Sequence, residues 1–281
     1  MRRHTGPEGA VGTSEAQGRM WSARARDWAE VQEAVAVPLF AAVLDAAAVG
    51  PETRVLDVGC GSGIFCEMAA ARGAAVAGLD AAGALLEIAR ERVPDGDFRT
   101  GEMESLPYPD EAFDLVTGFS SFQFAADPAA ALREAARVSR GGRVVAAVFG
   151  PPQDSESSAY IRALGALLPP PPPGAPGPYA LSPDGALEDL AARAGLVPRE
   201  VRDVDSPWIY PDEATALRGL LSAGPAVRAA EHAGEDAVRE VIRAELARFR
   251  TPGGGHRMGN TFRYMIAAAD RGAVSPAAPA R

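Results

Sequence analysis

The run VLDVGCGSG at residues 55–63 constrains this chain more than any other stretch. A short apolar strand ends on glycine, and glycine recurs at 61 and 63 before the helical stretch IFCEMAAARG (64–73) begins. Glycine is needed where φ is positive or where a ligand must approach the backbone. The helix after the turn presents free N–H groups and the positive end of its dipole. Asp57 stands at the carboxyl end of the strand, beside the crevice where open parallel sheets bind their ligands.

The rest of the chain repeats this alternation. Strands are predicted at 54–58, 75–79, 97–101, 112–119, 141–150, 196–210 and 260–269. Helices are predicted at 64–73, 81–93, 128–140, 155–168, 183–195, 212–224 and 235–249, after a helical stretch from Trp21 to Gly50. Such alternation means a parallel sheet covered on both faces. The expected organisation is a flexible leader at 1–19, one domain at 20–269 and a flexible tail at 270–281. Within the domain, a ligand-binding core at 51–150 is joined by a lid from 20–50 and from inserted helices within 151–256. PPPPPGAPGP (169–178) reads as a stiff strut of that lid.

Asp80 closes the second strand in AGLDAAG, 21 residues after Gly59. An acid at about this offset, roughly 20 residues, accepts from ribose hydroxyls in dinucleotide-binding folds. The dinucleotide fingerprint itself is missing: it needs glycine at 64 or 66, where Ile64 and Cys66 stand. The spacing is G-x-G-x-G, and Asp57 in the turn would repel a pyrophosphate. The pattern suits a nucleoside that carries an ammonium group.

Composition removes several other classes. The 28 cationic side chains are all arginine and face 37 acids, a net charge of −9. That balance is a poor match for a nucleic-acid backbone. The absence of lysine excludes a Schiff-base lysine, a P-loop lysine and the Tyr-x-x-x-Lys pair of a nicotinamide oxidoreductase. Cys60, Cys66, His4, His232 and His256 show no metal-ligand spacing, so no metal is expected. The start is polar, and the longest apolar stretch, Val35 to Gly50, is broken by Pro38 and Asp45. The expectation is a cytoplasmic protein with reduced thiols, acting on a small molecule, with no membrane or nucleic-acid partner and compatible with a homodimer.

With Asp57, Asp80, GEMESLPYPDEAFDLV (101–116) and RVSRGGR (137–143) in order, the sequence resembles the class I S-adenosylmethionine-dependent methyltransferases. It is most similar to the small-molecule, ubiquinone/menaquinone type, from Trp28 to Gly150 and more loosely to Ala269. The resemblance implies an α/β, Rossmann-like, seven-stranded and mostly parallel sheet with helices on both faces and a helical lid. It implies S-adenosylmethionine as cofactor and S-adenosylhomocysteine as product. By the same resemblance the turn holding Asp57, Gly59, Cys60 and Gly61 binds the methionine end, and Asp80 with Ala81 takes the ribose. Glu102, where the family has aspartate, would accept from the adenine amine, and the Met103 N–H would meet a ring nitrogen. Phe119 and Ser120 open FSSFQF (119–124), the stretch that lines the methyl-bearing sulfur in relatives.

Methyl transfer is an in-line displacement at a sulfonium carbon, and charge is lost in the transition state. Alignment and an apolar, water-free pocket are therefore what the protein must supply. Trp21, Trp28, Phe122, Gln123 and Trp208 are the expected substrate wall. If the acceptor carries a proton, a base is needed. His232, His256, Tyr210 and Asp205 are the candidates, with Gln123 orienting a substrate oxygen. Asn260 is the only asparagine, so the Asp-Asp-Asn metal site of catechol-type enzymes is missing. Gly118, Phe119, Ser120 and Ser121 stand where base-amino methyltransferases carry Asn/Asp-Pro-Pro-aromatic. The expected reaction is methylation of an O, N or C atom of a small, apolar, natural-product-type molecule. The alternative is a cyclase or isomerase on this fold that keeps the cofactor without methylating.

Overall fold

The computed structural model describes residues 13–170 and 177–269. The expected tail at 270–281, most of the leader and the middle of the proline run (171–176) lie outside the described residues.

The strands are β1 Arg54–Val58, β2 Ala75–Asp80, β3 Asp97–Thr100, β4 Leu115–Phe119, β5 Val144–Phe149, β6 Leu196–Asp205, β7 Trp208–Tyr210, β8 His256–Met258 and β9 Thr261–Ala269. Seven of them form one sheet in the order β3-β2-β1-β4-β5-β9-β6. β1 to β5 pair in parallel, and β9 runs antiparallel to β5 and β6. The helices are α1 Ser14–Ser22, α2 Ala25–Asp27, α3 Val37–Ala46, α4 Ile64–Ala70, α5 Gly83–Arg92, α6 Pro128–Val138, α7 Ser157–Gly165, α8 Ala186–Arg193, α9 Glu213–Ser222, α10 Gly224–Ala233 and α11 Glu235–Leu246.

Side chains alternate across a strand, so each strand feeds two layers. Leu56, Val58, Val116 and Val144 pack with Leu132 of α6 and Leu190 of α8. Val55, Leu115 and Val145 pack on the other side with Val43 and Leu44 of α3 and Phe65 of α4. The expected doubly covered sheet is thus present. A separate core unites α7, α9, α10 and α11 with β7 and β8 through Tyr160, Leu220, Val238, Ile242 and Met258. This is the helical lid. Each fully buried aliphatic side chain there stabilises it by about 1.5–3 kcal/mol.

Three details depart from the sequence reading. Helix α1 begins at Ser14, inside the expected leader. It is pinned there by Thr13 Oγ1, which donates to the Phe124 carbonyl at 2.7 Å. The strand expected at 196–210 breaks at Ser206 and Pro207, because proline has no N–H for the ladder. Beyond the break, β7 pairs with β8 in its own two-stranded ribbon. Helix α10 starts at Gly224 and Pro225, a pair that reads as a breaker but suits a first helical turn.

Asn260 ties the sheet to the lid. Its Oδ1 accepts from the Ser157 N–H (3.0 Å), its carbonyl accepts from the Ser206 N–H (2.8 Å), and its Nδ2 donates to the Met258 carbonyl (3.3 Å).

Candidate active site

A cavity of about 250 Å³ lies at the carboxyl ends of β1, β2 and β4, under α1, the α2–α3 segment and α7. Its floor is the glycine turn. Gly59 and Gly61 have φ of +77° and +54°. A Cβ at position 59 would stand 2.3 Å from the Ser121 Cβ, so only glycine fits. The Gly59 and Cys60 N–H groups both donate to the Leu79 carbonyl, at 2.7 and 3.1 Å. That folds the turn against the end of β2 and brings Asp80 beside it.

Asp80 accepts the Gly61 N–H on Oδ2 and the Ala82 N–H on Oδ1, both at 2.8 Å. A carboxylate offers about four acceptor sites, so each oxygen keeps one for a ligand hydroxyl. Burial pushes its carboxyl above the ordinary range, and the backbone N–H groups counter this. Asp57 is buried and accepts from the Thr117 hydroxyl at 2.7 Å. Burial, helped by the neighbouring charges of Asp80 and Glu33, pushes its pKa up to about 7.

Glu33 belongs to none of the sequence motifs. It reaches the turn from the N-terminal segment and accepts from the Ser62 N–H (3.1 Å) and from the Ser62 hydroxyl. Arg92 of α5 pairs with it at 2.6 Å and also donates to the Ser62 and Ala29 carbonyls. Burial raises the Glu33 carboxyl, opposed by Ser62 and Arg92. The turn end of the cavity therefore holds Asp57, Asp80 and Glu33 against a single guanidinium. This donor set fits a ligand with a ribose, an ammonium and a sulfonium.

At the other edge Glu102 accepts the Met103 N–H on Oε1 and the Ser14 N–H on Oε2, each at 3.1 Å. The Met103 N–H expected to meet a purine ring is thus engaged by its neighbour's carboxylate. Ser120 holds φ of +50°, an uncommon geometry for a residue other than glycine, and its N–H donates to the Ala147 carbonyl at 2.7 Å. Phe119 packs on Phe65 and Phe40, with ring centroids 4.5 and 4.7 Å away. Trp21 and Trp28 meet edge to face at 4.8 Å. Cys60 is buried and its thiol is pushed well above the ordinary range, so it is a turn residue and no nucleophile.

Asp57, Gly59, Cys60, Gly61, Asp80, Ala81, Glu102, Met103, Phe119 and Ser120 all line this one cavity, as do Trp21, Trp28 and Trp208. The other expected residues are not brought to it. Phe122 is buried in the sheet core, beneath Gly118. Gln123 is half-buried on the adjoining turn, outside the lining. His232 is exposed on α10, and Asp205 is exposed at the end of β6. His256 is buried on β8, and Tyr210 of the same ribbon donates its hydroxyl to Gln32 at 2.8 Å. The break at Pro207 turns this ribbon away from the sheet and carries both residues behind the lining.

Gln32 and Glu33 are what sequence reasoning missed. A signal was present: Gln32 falls four residues after Trp28 and three before Val35, on the apolar stripe of its helix. A polar residue on such a stripe is either paired or facing a ligand.

Residues 56–146 match the family model of a methyltransferase domain. The chain is 37% identical over 131 residues to the demethylmenaquinone methyltransferase of Renibacterium salmoninarum, covering 44% of this chain and 55% of that one. It is 30% identical over 183 residues to the malonyl-[acyl-carrier protein] O-methyltransferase of Erwinia pyrifoliae, covering 65% and 66%. The chain thus spans about half the length of the first of these relatives. Among solved structures, the YcgJ protein of Bacillus subtilis shares the fold at a TM-score of 0.55 and 21% identity, covering 82% of this chain and 97% of that one. Together with the glycine turn and its acids, these matches show that the chain belongs to the class I S-adenosylmethionine-dependent methyltransferases. S-adenosylmethionine is the cofactor of the class, and the residues at the turn fit it.

Proposed function

We propose that this protein transfers the methyl group of S-adenosylmethionine to a small, neutral, apolar molecule. One observation carries the reading: a single cavity joins a carboxylate-bearing end to an aromatic end without cations. Apart from Glu33, Asp57, Asp80, Glu102 and the inert Cys60, the ionisable group in the lining is Tyr160. Its hydroxyl donates to the Leu220 carbonyl at 2.8 Å, and burial pushes its pKa up, so it stays protonated.

When bound, the cofactor supplies an activated methyl on a sulfonium and leaves as a neutral thioether. Asp80 holds the ribose through its two spare lone pairs. Asp57, with Glu33 beside it, offsets the ammonium charge. Phe119, Phe40, Trp28 and Trp208 wall the other end and exclude water, which suits a step that loses charge. The described lining has no base near that end, so the acceptor attacks with a lone pair of its own, and a proton on the attacking atom passes to solvent after transfer. An anionic acceptor, such as the malonyl group named for the Erwinia relative, finds no arginine among the described lining residues. An apolar acceptor, of the kind the Renibacterium relative's name carries, suits the wall better.

Calorimetric titration with S-adenosylmethionine and S-adenosylhomocysteine, beside Asp80→Ala, tests the cofactor half. Saturable binding that the variant loses is expected, and equal affinity in both proteins overturns it. Mass spectrometry of products from a panel of phenols and enols tests the other half. A gain of one methyl is expected; a rearranged product of unchanged mass would assign the cyclase or isomerase alternative instead.

A further inference from the structure

One polar side chain in the aromatic end has no partner for its donor. Gln32 is only 3% exposed, yet it lines the cavity. Its Oε1 accepts from the Tyr210 hydroxyl at 2.8 Å. Among the described residues the hydrogen bond of this side chain is the one on its oxygen, and its amide nitrogen makes none. With the oxygen tied to Tyr210, the N–H pair is left over on a side chain that lines the cavity.

The backbone and the lid both support this placement. Trp28–Gln32 is a π turn, closed by the Glu33 N–H on the Trp28 carbonyl. A regular helix points adjacent residues about 100° apart. Here Gln32 and Glu33, neighbours in sequence, are both buried at the cavity. Inserted π turns recur at functional sites. The amide is seated against Gly219 of α9, where a Cβ would stand 2.8 Å from Gln32 Oε1. Burial keeps the Tyr210 hydroxyl protonated, hence a donor.

We propose that Gln32, oriented by Tyr210, reads an oxygen on the methyl acceptor by donating its amide N–H to a carbonyl or hydroxyl oxygen of an otherwise apolar ring. The proposal rests on the aromatic end being the acceptor site. Gln32 is the residue that touches substrate, and Tyr210 is a positioning residue. A site built to donate one hydrogen bond rejects the analogue that lacks the acceptor, because its donor is then left unpaired.

The test uses the S-adenosylhomocysteine-saturated protein and two probes of equal shape, 1-tetralone, which has a carbonyl oxygen, and tetralin, which has none. All three tryptophans of the chain line the cavity, so their fluorescence reports occupancy. The quantity read is the affinity for 1-tetralone divided by that for tetralin. Gln32→Leu is expected to lower this ratio roughly tenfold, through 1-tetralone alone. Tyr210→Phe, which keeps the packing but frees the amide to turn, is expected to lower it roughly threefold. A ratio unchanged in both variants overturns the assignment, and so does a wild type that binds neither ring. Affinity for S-adenosylhomocysteine is measured alongside. Its absence in the wild type would break the cofactor reading, whereas its presence with an unchanged ratio breaks only the role of Gln32. If Gln32→Leu does not fold, as judged by loss of that affinity, Tyr210→Phe alone decides.

Discussion

The two ends of the cavity are built from different materials. The end proposed for the cofactor is made of strand ends, turn backbone and three carboxylates, of which Asp57 and Asp80 are fixed by the sheet and its turns and Glu33 by Ser62 and Arg92. The end proposed for the acceptor is walled by side chains from distant stretches: Phe119 of β4, Phe40 of α3, Trp28 of the N-terminal segment and Trp208 of the lid's core. The first recognises by hydrogen bonds and charge at positions close in sequence. The second recognises by shape, with polar contact concentrated on Gln32. The contrast separates what defines the class from what selects a substrate.

Four measurements would break or sharpen that contrast. The largest effect is expected at the seam between the two ends. Glu33→Gln leaves Arg92 half-paired and mostly buried. Removing one partner of a buried ion pair costs about 3–5 kcal/mol. Thermal melting should fall by roughly 10 °C for a domain of this size. An unchanged midpoint would show that the N-terminal segment is held by packing alone.

Next comes Asp80→Ala. It releases the Gly61 and Ala82 N–H groups and, on the proposed reading, removes the acceptor for two ribose hydroxyls. Bonds to a charged acceptor contribute about 1.5–3 kcal/mol each, so a loss of at least about 100-fold in cofactor affinity is expected by calorimetry. The affinity ratio between 1-tetralone and tetralin should stay as it was if the two ends act separately.

A smaller effect comes from pH. The Asp57 pKa is raised to about 7 by burial. The folded state therefore holds this proton more tightly than the unfolded chain does. Asp57 is a burden on stability above pH 7, and the burden is relieved as pH falls from 7 toward the ordinary carboxylate range. Cofactor binding runs the other way, because an ammonium group needs the ionised form. Affinity should fall by up to about tenfold per pH unit below 7, with a proton released on binding there. Asp57→Asn should bind weakly at every pH. A pH-independent affinity in the wild type would remove Asp57 from the contact.

The smallest effect is expected at His232. It is exposed on α10. His232→Ala should change turnover by less than about twofold and stability by less than about 0.5 kcal/mol. A larger loss of turnover, with a changed pH profile, would restore it as a base.

The same contrast explains what could be read from sequence. The turn, Asp57 and Asp80 announce themselves because the turn's glycines at 59, 61 and 63 and the two strand-end acids fall within 24 residues of alternating strand and helix (57–80). All seven strands of the sheet were legible for the same reason: their periods are local. The acceptor end was not. Tyr210 and Gln32 lie 178 residues apart and meet only because Pro207 breaks a strand and β7 pairs elsewhere. His256 looked equally eligible, and the same ribbon carries it behind the wall. Glu33 was hidden because a buried acid reads as a solvated one until its partner Arg92 is placed. The start of α10 was hidden by a Gly-Pro pair, which ends one helix or opens the next according to how the neighbouring residues pack.

One feature of the chain path reaches beyond this molecule. Residues 206–260 leave the sheet and rejoin it where the Ser206 N–H donates to the Asn260 carbonyl, beside the Asp205–Thr261 pair of β6 and β9. An excursion whose ends already touch can be lengthened, shortened or exchanged without moving the strands, since its closure makes no demand on them. The stretch is a cassette, and it carries Trp208, Tyr210 and Gly219. Grafting a different cassette between Asp205 and Thr261 would re-aim the amide of Gln32 and redraw the aromatic wall. The methyl donor's seat would stay where the sheet has put it. Substrate range in such a chain can drift by replacement of one contiguous block, while the chemistry is inherited intact.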